Sequence, residues 1–142
     1  KTNKYEAAFC LQIIKKILML YEVNGKSFHG DSIGIITPYR AQIALIHKYL
    51  EELPKDITHK ITVDTVERYQ GGARDIIIIS FCVNRLSQLQ SLISLSQEGV
   101  DRKLNVALTR AREQLVLIGN REFLSTDHVY KSLFESCTEL KM

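Results

Sequence analysis

An α/β fold with a mostly parallel sheet is what this sequence predicts, and three observations predict it. Apolar residues switch repeatedly between helical spacing and short unbroken runs. The run Ile76-Ile77-Ile78-Ile79 shows no alternation, as expected of a strand buried on both faces between helical layers. Polar segments carrying Tyr, Arg, Gln and Gly follow the ends of apolar strands, and open α/β sheets bind ligands beyond the carboxyl ends of their strands.

The elements follow in order. Asn3 caps a first helix, with Glu6 three residues on as in a capping box. Ala7, Leu11, Ile14, Leu18 and Tyr21 recur at helical spacing until Asn24-Gly25 stops the helix. Ile33 to Thr37 is a short strand. Thr37 then caps a second helix with Pro38 at its first position, and Ile43, Ile46, Leu50 and Leu53 form its buried face until Pro54 closes it. Lys60 to Asp64 and Asp75 to Val83 are strands, joined by a segment holding the Gly71-Gly72 pair. Arg85 to Gly99 is a loop with one helical turn. Asp101 to Arg112 is a helix, Gln114 to Gly119 a strand, and Glu122 to Glu135 forms one or two closing helices.

The 142 residues suit one domain with one core. Hydrophobic residues at 45% and charged residues at 25% are ordinary for a globular protein. A net charge of +3 permits a nucleic-acid partner without demanding one. Cys10, Cys82 and Cys137 are far apart and odd in number, which supports neither a disulfide framework nor a zinc site, so no metal is assigned to this chain. No stretch approaches the ~20 apolar residues of a membrane span. A reducing, cytoplasmic setting without membrane contact is the expectation. The first residue is not Met, and we expect a piece of a longer protein.

Three segments carry the chemistry. In Asp101 to Arg112, Leu104, Ala107, Leu108 and Ala111 form the apolar stripe and Arg110 points away from it. Arg110 is either a solvated cation near a helix end or a guanidinium fork for phosphate oxygens. In Ile36-Thr-Pro-Tyr-Arg-Ala-Gln42, Tyr39 lies where a strand hands over to a helix. It either packs on its own helix or offers a flat face to a base, with Arg40 beside it. In Val63 to Asp75, Gly71 and Gly72 let the backbone turn tightly or approach a ligand.

Taken together, these segments resemble superfamily 1 helicases, in the branch that contains the nonsense-mediated-decay RNA helicases and the nuclease-linked replication helicases. Leu104-Asn-Val-Ala-Leu-Thr-Arg-Ala-Arg112 is similar to motif VI. Thr37-Pro-Tyr-Arg-Ala-Gln42 is similar to the motif called IV or IIIa. Thr65-Val-Glu-Arg-Tyr-Gln-Gly71 is similar to motif V, with Glu67 and Tyr69 in place of Asp and Phe and with Ala73 where a glutamate is usual. Asn3, Glu6 and Ala7 match the Asn-x-x-Glu-Ala start of this branch.

The resemblance implies a RecA-like, three-layer domain without its own phosphate loop. Residues 1–142 would be the second, C-terminal RecA-like domain of an ATP-dependent DNA or RNA helicase. It implies Arg110 as an arginine finger that joins the Thr37–Gln42 and Thr65–Arg74 segments beyond the carboxyl ends of the strands, Tyr39 as an adenine platform, and Arg40, Gln70, Gly71 and Gly72 as further nucleotide contacts. Thr65, Asn84 and Arg85 would face nucleic acid. The cofactor would be ATP with Mg²⁺, the metal held by a preceding RecA-like domain of the same polypeptide. Partners would be that domain and single-stranded DNA or RNA.

The sequence itself holds no Gly-x-x-x-x-Gly-Lys-Ser/Thr loop and no Asp-Glu pair ending an apolar strand, so this chain alone is not expected to hydrolyse ATP. The alternative is a degenerate, non-catalytic helicase half that binds nucleic acid or protein, a reading that Ala73 favours.

Overall fold

In the computed structural model, residues 2–65, 72–83, 85, 88–89 and 107–139 are described. Gln70, Gly71, Asn84 and most of the expected 85–99 loop and 101–106 helix lie outside them. Helix α1 (Lys4–Val23) leads into β1 (Ile33–Ile36), then α2 (Arg40–Leu50), the short α3 (Lys55–Thr58) and β2 (Thr62–Asp64). Strands β3 (Arg74–Ser80) and β4 (Ala111–Ile118) and helices α4 (Arg121–Leu124) and α5 (His128–Glu135) follow.

The four strands form one parallel sheet in the order β2-β1-β3-β4. This is the α/β architecture that the resemblance implies. The isoleucine run explains the layering. Ile76 and Ile78 enter one apolar cluster with Ile14, Ile33, Ile35 and Ile46, under α1 and α2. Ile77 and Ile79 enter the other, with Phe81, Leu124, Tyr130 and Phe134, under the C-terminal helices. None of the four is more than 6% exposed. Each is worth roughly 1.5–3 kcal/mol of burial, which makes β3 the spine of the domain.

Local chemistry sets the ends of the elements. The Asn3 side chain accepts a hydrogen bond from the Glu6 amide at 3.0 Å, as the cap predicts. The second helix starts later than the sequence suggests. Thr37 does not cap it: its amide extends the β1–β2 ladder by donating to the Asp64 carbonyl at 3.1 Å, which holds Thr37 in the sheet. Tyr39 is the N-cap residue, with extended backbone and no side-chain cap bond. Pro54 does not merely close α2 but stands at the cap of α3.

The motif VI helix also ends earlier. Residues 107–109 are helical, but Ala111 and Arg112 already belong to β4. The Arg74 amide takes the Arg110 carbonyl at 2.8 Å, and Arg74 is in register with Ala111. A carbonyl drawn into the ladder is withdrawn from the helix, so the chain turns at Arg110.

Candidate functional site

Because the four described strands run parallel, the sheet has a carboxyl edge and an amino edge, and the predicted residues that are described divide between them. Residues that follow a strand lie at the first edge, and residues that precede one lie at the second.

The carboxyl edge carries Tyr39 and Arg40 after β1, Thr65 after β2 and Arg85 after β3. Tyr39 is half-buried, and that burial, with the neighbouring Cys82 second, holds its phenol above the usual value. Arg40 and Arg85 are exposed. Thr65 is buried, with its amide donating to the Asp64 carboxylate at 2.8 Å. The Arg85 amide donates to the Gln88 side chain at 3.2 Å, and its carbonyl accepts from the Gln88 and Leu89 amides.

Beneath this edge is a buried polar network that sequence reasoning did not anticipate. Glu6 Oε1 accepts from Ser80 Oγ at 2.7 Å and from the Cys82 amide at 2.9 Å. Gln42 Oε1 accepts from the Asn3 amide at 2.8 Å, while Gln42 Nε2 donates to the Asn3 carbonyl at 3.0 Å and to Ser80 Oγ at 3.4 Å. Burial pushes the Glu6 carboxyl above the usual carboxylate range, opposed by the Ser80 and Cys82 hydrogen bonds. The signal was present in Glu6 and Gln42, both polar residues on the apolar stripes of their helices, at spacings that put them inside.

The amino edge carries Gly72, Ala73 and Arg110. This corrects the expectation that the Thr65–Arg74 segment and Arg110 gather beyond the carboxyl ends. A connection between parallel strands must cross from the end of one to the start of the next. Gly72 therefore sits two residues before β3, and Arg110 immediately before β4. Gly72 has φ +81, a left-handed backbone that suits glycine.

Arg74 is buried and holds the incoming loop: its guanidinium donates to the Gly72 and Ala73 carbonyls at 3.4 and 3.2 Å and to Thr62 Oγ1 at 3.4 Å. It thus braces the backbone at Ala73 and supplies no acidic group in place of the usual glutamate.

The two arginines of motif VI differ. Arg112 is engaged, with Nε 3.0 Å and Nη2 2.9 Å from Asp75 Oδ1, and Nη2 donating to the Asp31 carbonyl at 3.1 Å. Arg110 is half-buried, and its Nε is buried with no hydrogen-bond partner among the described residues. A buried guanidinium N–H without an acceptor is costly in an isolated domain, and an anionic ligand such as a phosphate oxygen satisfies it. Among the described residues no group of three His, Cys, Asp or Glu side chains is placed to hold a metal ion.

The structure does not bring Tyr39 and Arg110 together. Six residue steps of β3 separate the edges, roughly 20 Å at ~3.3 Å per residue.

Comparison with known proteins identifies the family. A family model described as an AAA domain matches residues 1–122. Regulator of nonsense transcripts 1 of Dictyostelium discoideum is 39% identical over 92% of this chain and 9% of its own length. ATP-dependent helicase NAM7 of Saccharomyces cerevisiae is 36% identical over 92% of this chain and 13% of its own. DNA replication ATP-dependent helicase/nuclease JHS1 of Arabidopsis thaliana is 32% identical over 87% of this chain and 8% of its own. The chain thus spans about a tenth of the length of these relatives. With its parallel sheet and its three motif segments, it belongs to the superfamily 1 helicases, as the C-terminal RecA-like domain of the branch that includes the nonsense-mediated-decay and nuclease-linked helicases.

Proposed function

We propose that the full-length protein is an ATP-dependent helicase acting on single-stranded DNA or RNA, and that this domain completes an ATP site shared with a preceding RecA-like domain. The observation that carries the proposal is the buried Nε of Arg110 at the amino edge, which has no hydrogen-bond partner among the described residues. A nucleotide and its Mg²⁺, both held by the first RecA-like domain, would present the terminal phosphate to Arg110. The guanidinium stabilises charge that develops on the transferring phosphoryl group, an effect worth roughly 10³–10⁵ in rate for arginine fingers. Gly72 stands at the same edge, and the family resemblance makes it, with Gln70 and Gly71, a further nucleotide contact.

The carboxyl edge, with Thr65 and Arg85, faces the nucleic-acid backbone in this reading, and the family resemblance adds Asn84 as a further contact. Opening and closing of the cleft between the domains then moves that edge along the strand.

Tyr39 has two readings. The family resemblance makes it an adenine platform, with Arg40 near the triphosphate. Its position favours the second: it shares the carboxyl edge with Thr65 and Arg85 and is separated from Arg110 by the length of β3. There its ring would stack on a base of the single strand, a contact worth roughly 1–3 kcal/mol.

The test is ATP turnover by the full-length protein with and without single-stranded polymer. Arg110→Ala is expected to abolish stimulated turnover with little change in KM. Turnover that is indifferent to Arg110 removes it from the site. An absence of turnover in the wild type supports the non-catalytic binding module. For Tyr39→Ala, a raised KM for ATP supports adenine stacking. A raised half-saturating polymer concentration at unchanged KM supports stacking on a nucleic-acid base.

A further inference from the structure

The buried network under the carboxyl edge joins three parts of the chain that are remote in sequence. Glu6 and Asn3 come from the start of α1, Gln42 from the first turn of α2, and Ser80 and Cys82 from the exit of β3. Ser80 Oγ is shared, donating to Glu6 and accepting from Gln42. All three side chains are at most 4% exposed.

What the network holds is specific. Cys82 has φ +54, a left-handed backbone that L residues rarely adopt and that costs of order 1–3 kcal/mol. Its amide is fixed by the Glu6 carboxylate, so Glu6 sets the direction in which the chain leaves β3 toward Arg85. Gln42 is pinned through Asn3 and Ser80, and its own amide donates to the Tyr39 carbonyl at 3.0 Å. The segments bearing Tyr39 and Arg85 are thereby tied to one carboxylate.

A fully buried, charge-bearing network is not the cheapest way to fill a core. Apolar residues of similar volume are commonly as stable or more so, and one well-attested role of such networks is to specify a unique arrangement. Here the arrangement specified is that of two exposed functional segments on one edge.

We propose that Glu6 is a positioning residue for single-stranded nucleic acid, holding the Tyr39 and Arg85 segments at the spacing that a bound strand requires, with Ser80 and Gln42 as its relays. This rests on the reading of the carboxyl edge as the nucleic-acid face. Glu6 does not touch the strand. It fixes the backbone of residues that do, and its removal loosens polymer binding without disturbing the amino edge where Arg110 lies.

The experiment uses the full-length protein and a fluorescently labelled single-stranded oligonucleotide, as DNA and as RNA. Binding is read by anisotropy without nucleotide, beside unstimulated ATP turnover and the KM for ATP. Glu6→Ala is expected to weaken oligonucleotide binding about 10-fold, while unstimulated turnover and KM stay within about twofold. Glu6→Gln keeps an amide oxygen for Ser80 and Cys82, and is expected to restore most of the affinity. Ser80→Ala is the milder variant should Glu6→Ala fail to fold, with an expected loss of a few-fold.

Arg85→Ala separates the two claims. If it weakens binding but the folded Glu6 and Ser80 variants bind as wild type, the positioning role is wrong and the nucleic-acid face stands. If Arg85→Ala and Tyr39→Ala leave binding unchanged, the face itself is misassigned and the inference falls with it. A Glu6 or Ser80 variant that loses binding, turnover and ATP affinity in equal measure has a merely structural defect, which also overturns the proposal.

Discussion

Arg110 and Arg112 stand two residues apart in the same motif, and the structure gives them opposite fates under mutation. Arg112→Ala removes a guanidinium that grips Asp75 through two nitrogens and the Asp31 carbonyl through one. This ties the entry to β1 to the starts of β3 and β4. Fully exposed ion pairs contribute roughly 0.2–1 kcal/mol and hydrogen bonds to charged groups ~1.5–3 kcal/mol. The Arg112 side chain is 45% exposed and that of Asp75 15%, so the pair lies between these limits after solvent screening. A loss of about 1 kcal/mol is expected, which lowers the thermal midpoint of the domain by roughly 3–5 °C. Polymer-stimulated ATP turnover, measured well below that midpoint, should be nearly unchanged, because the Arg112 guanidinium is committed to the fold. A folded Arg112→Ala protein that loses turnover as deeply as Arg110→Ala would refute the division of labour between the two arginines.

Three further outcomes are expected. Because burial raises the Glu6 carboxyl in the folded state, the folded protein binds that proton more tightly than the unfolded chain. Stability is then fully present below the unfolded glutamate value of about 4.3 and falls as pH rises through the folded one, so Glu6→Gln should flatten this part of the thermal-midpoint curve. Parallel wild-type and mutant curves would contradict the assignment. A Cβ on Gly119 would lie 2.7 Å from Leu124 Cδ1 and 3.2 Å from Phe81 Cδ2. Gly119→Ala should therefore cost roughly 1–3 kcal/mol in denaturant unfolding, whereas the open Gly30 should tolerate Ala at less than ~0.5 kcal/mol. Burial pushes the Cys10 and Cys82 thiols up to about 12 and about 11, and Cys137 is exposed. A thiol reagent at neutral pH should modify Cys137 rapidly and the other two only on unfolding; rapid labelling of Cys10 in the native protein would contradict the core described above.

Much of the fold is legible in short-range pattern. Unbroken apolar runs gave the strands, because residues buried on both faces leave no alternation, and Ile76–Ile79 are divided between two clusters as that logic requires. The Asn3 cap is legible because its partner, the Glu6 amide, is three residues away.

What short-range pattern misses depends on distant partners. Glu6 looks like a capping-box residue that turns back to the Asn3 amide. Instead one carboxylate oxygen reaches Ser80 and Cys82, the other accepts from the Asn3 side-chain amide at 3.2 Å, and the Asn3 backbone amide goes to Gln42. The stripe Leu104, Ala107, Leu108 and Ala111 carries the expected helix through Ala111, but the chain joins β4 because Arg74 claims the Arg110 carbonyl. Sequence alone suggests a single edge for the candidate residues, since each flanks a strand. Which edge each occupies depends on whether it precedes or follows its strand in a sheet whose strands all run parallel, and this divides Gly72 and Arg110 from Tyr39, Thr65 and Arg85.

The most direct test of the central claim is a structure of the full-length protein bound to single-stranded nucleic acid, ADP and an aluminium fluoride mimic of the transferring phosphoryl group. Arg110 is expected to place a guanidinium nitrogen within about 3 Å of a fluoride. An Arg110 that remains remote from the mimic, with another cation in its place, would contradict the account.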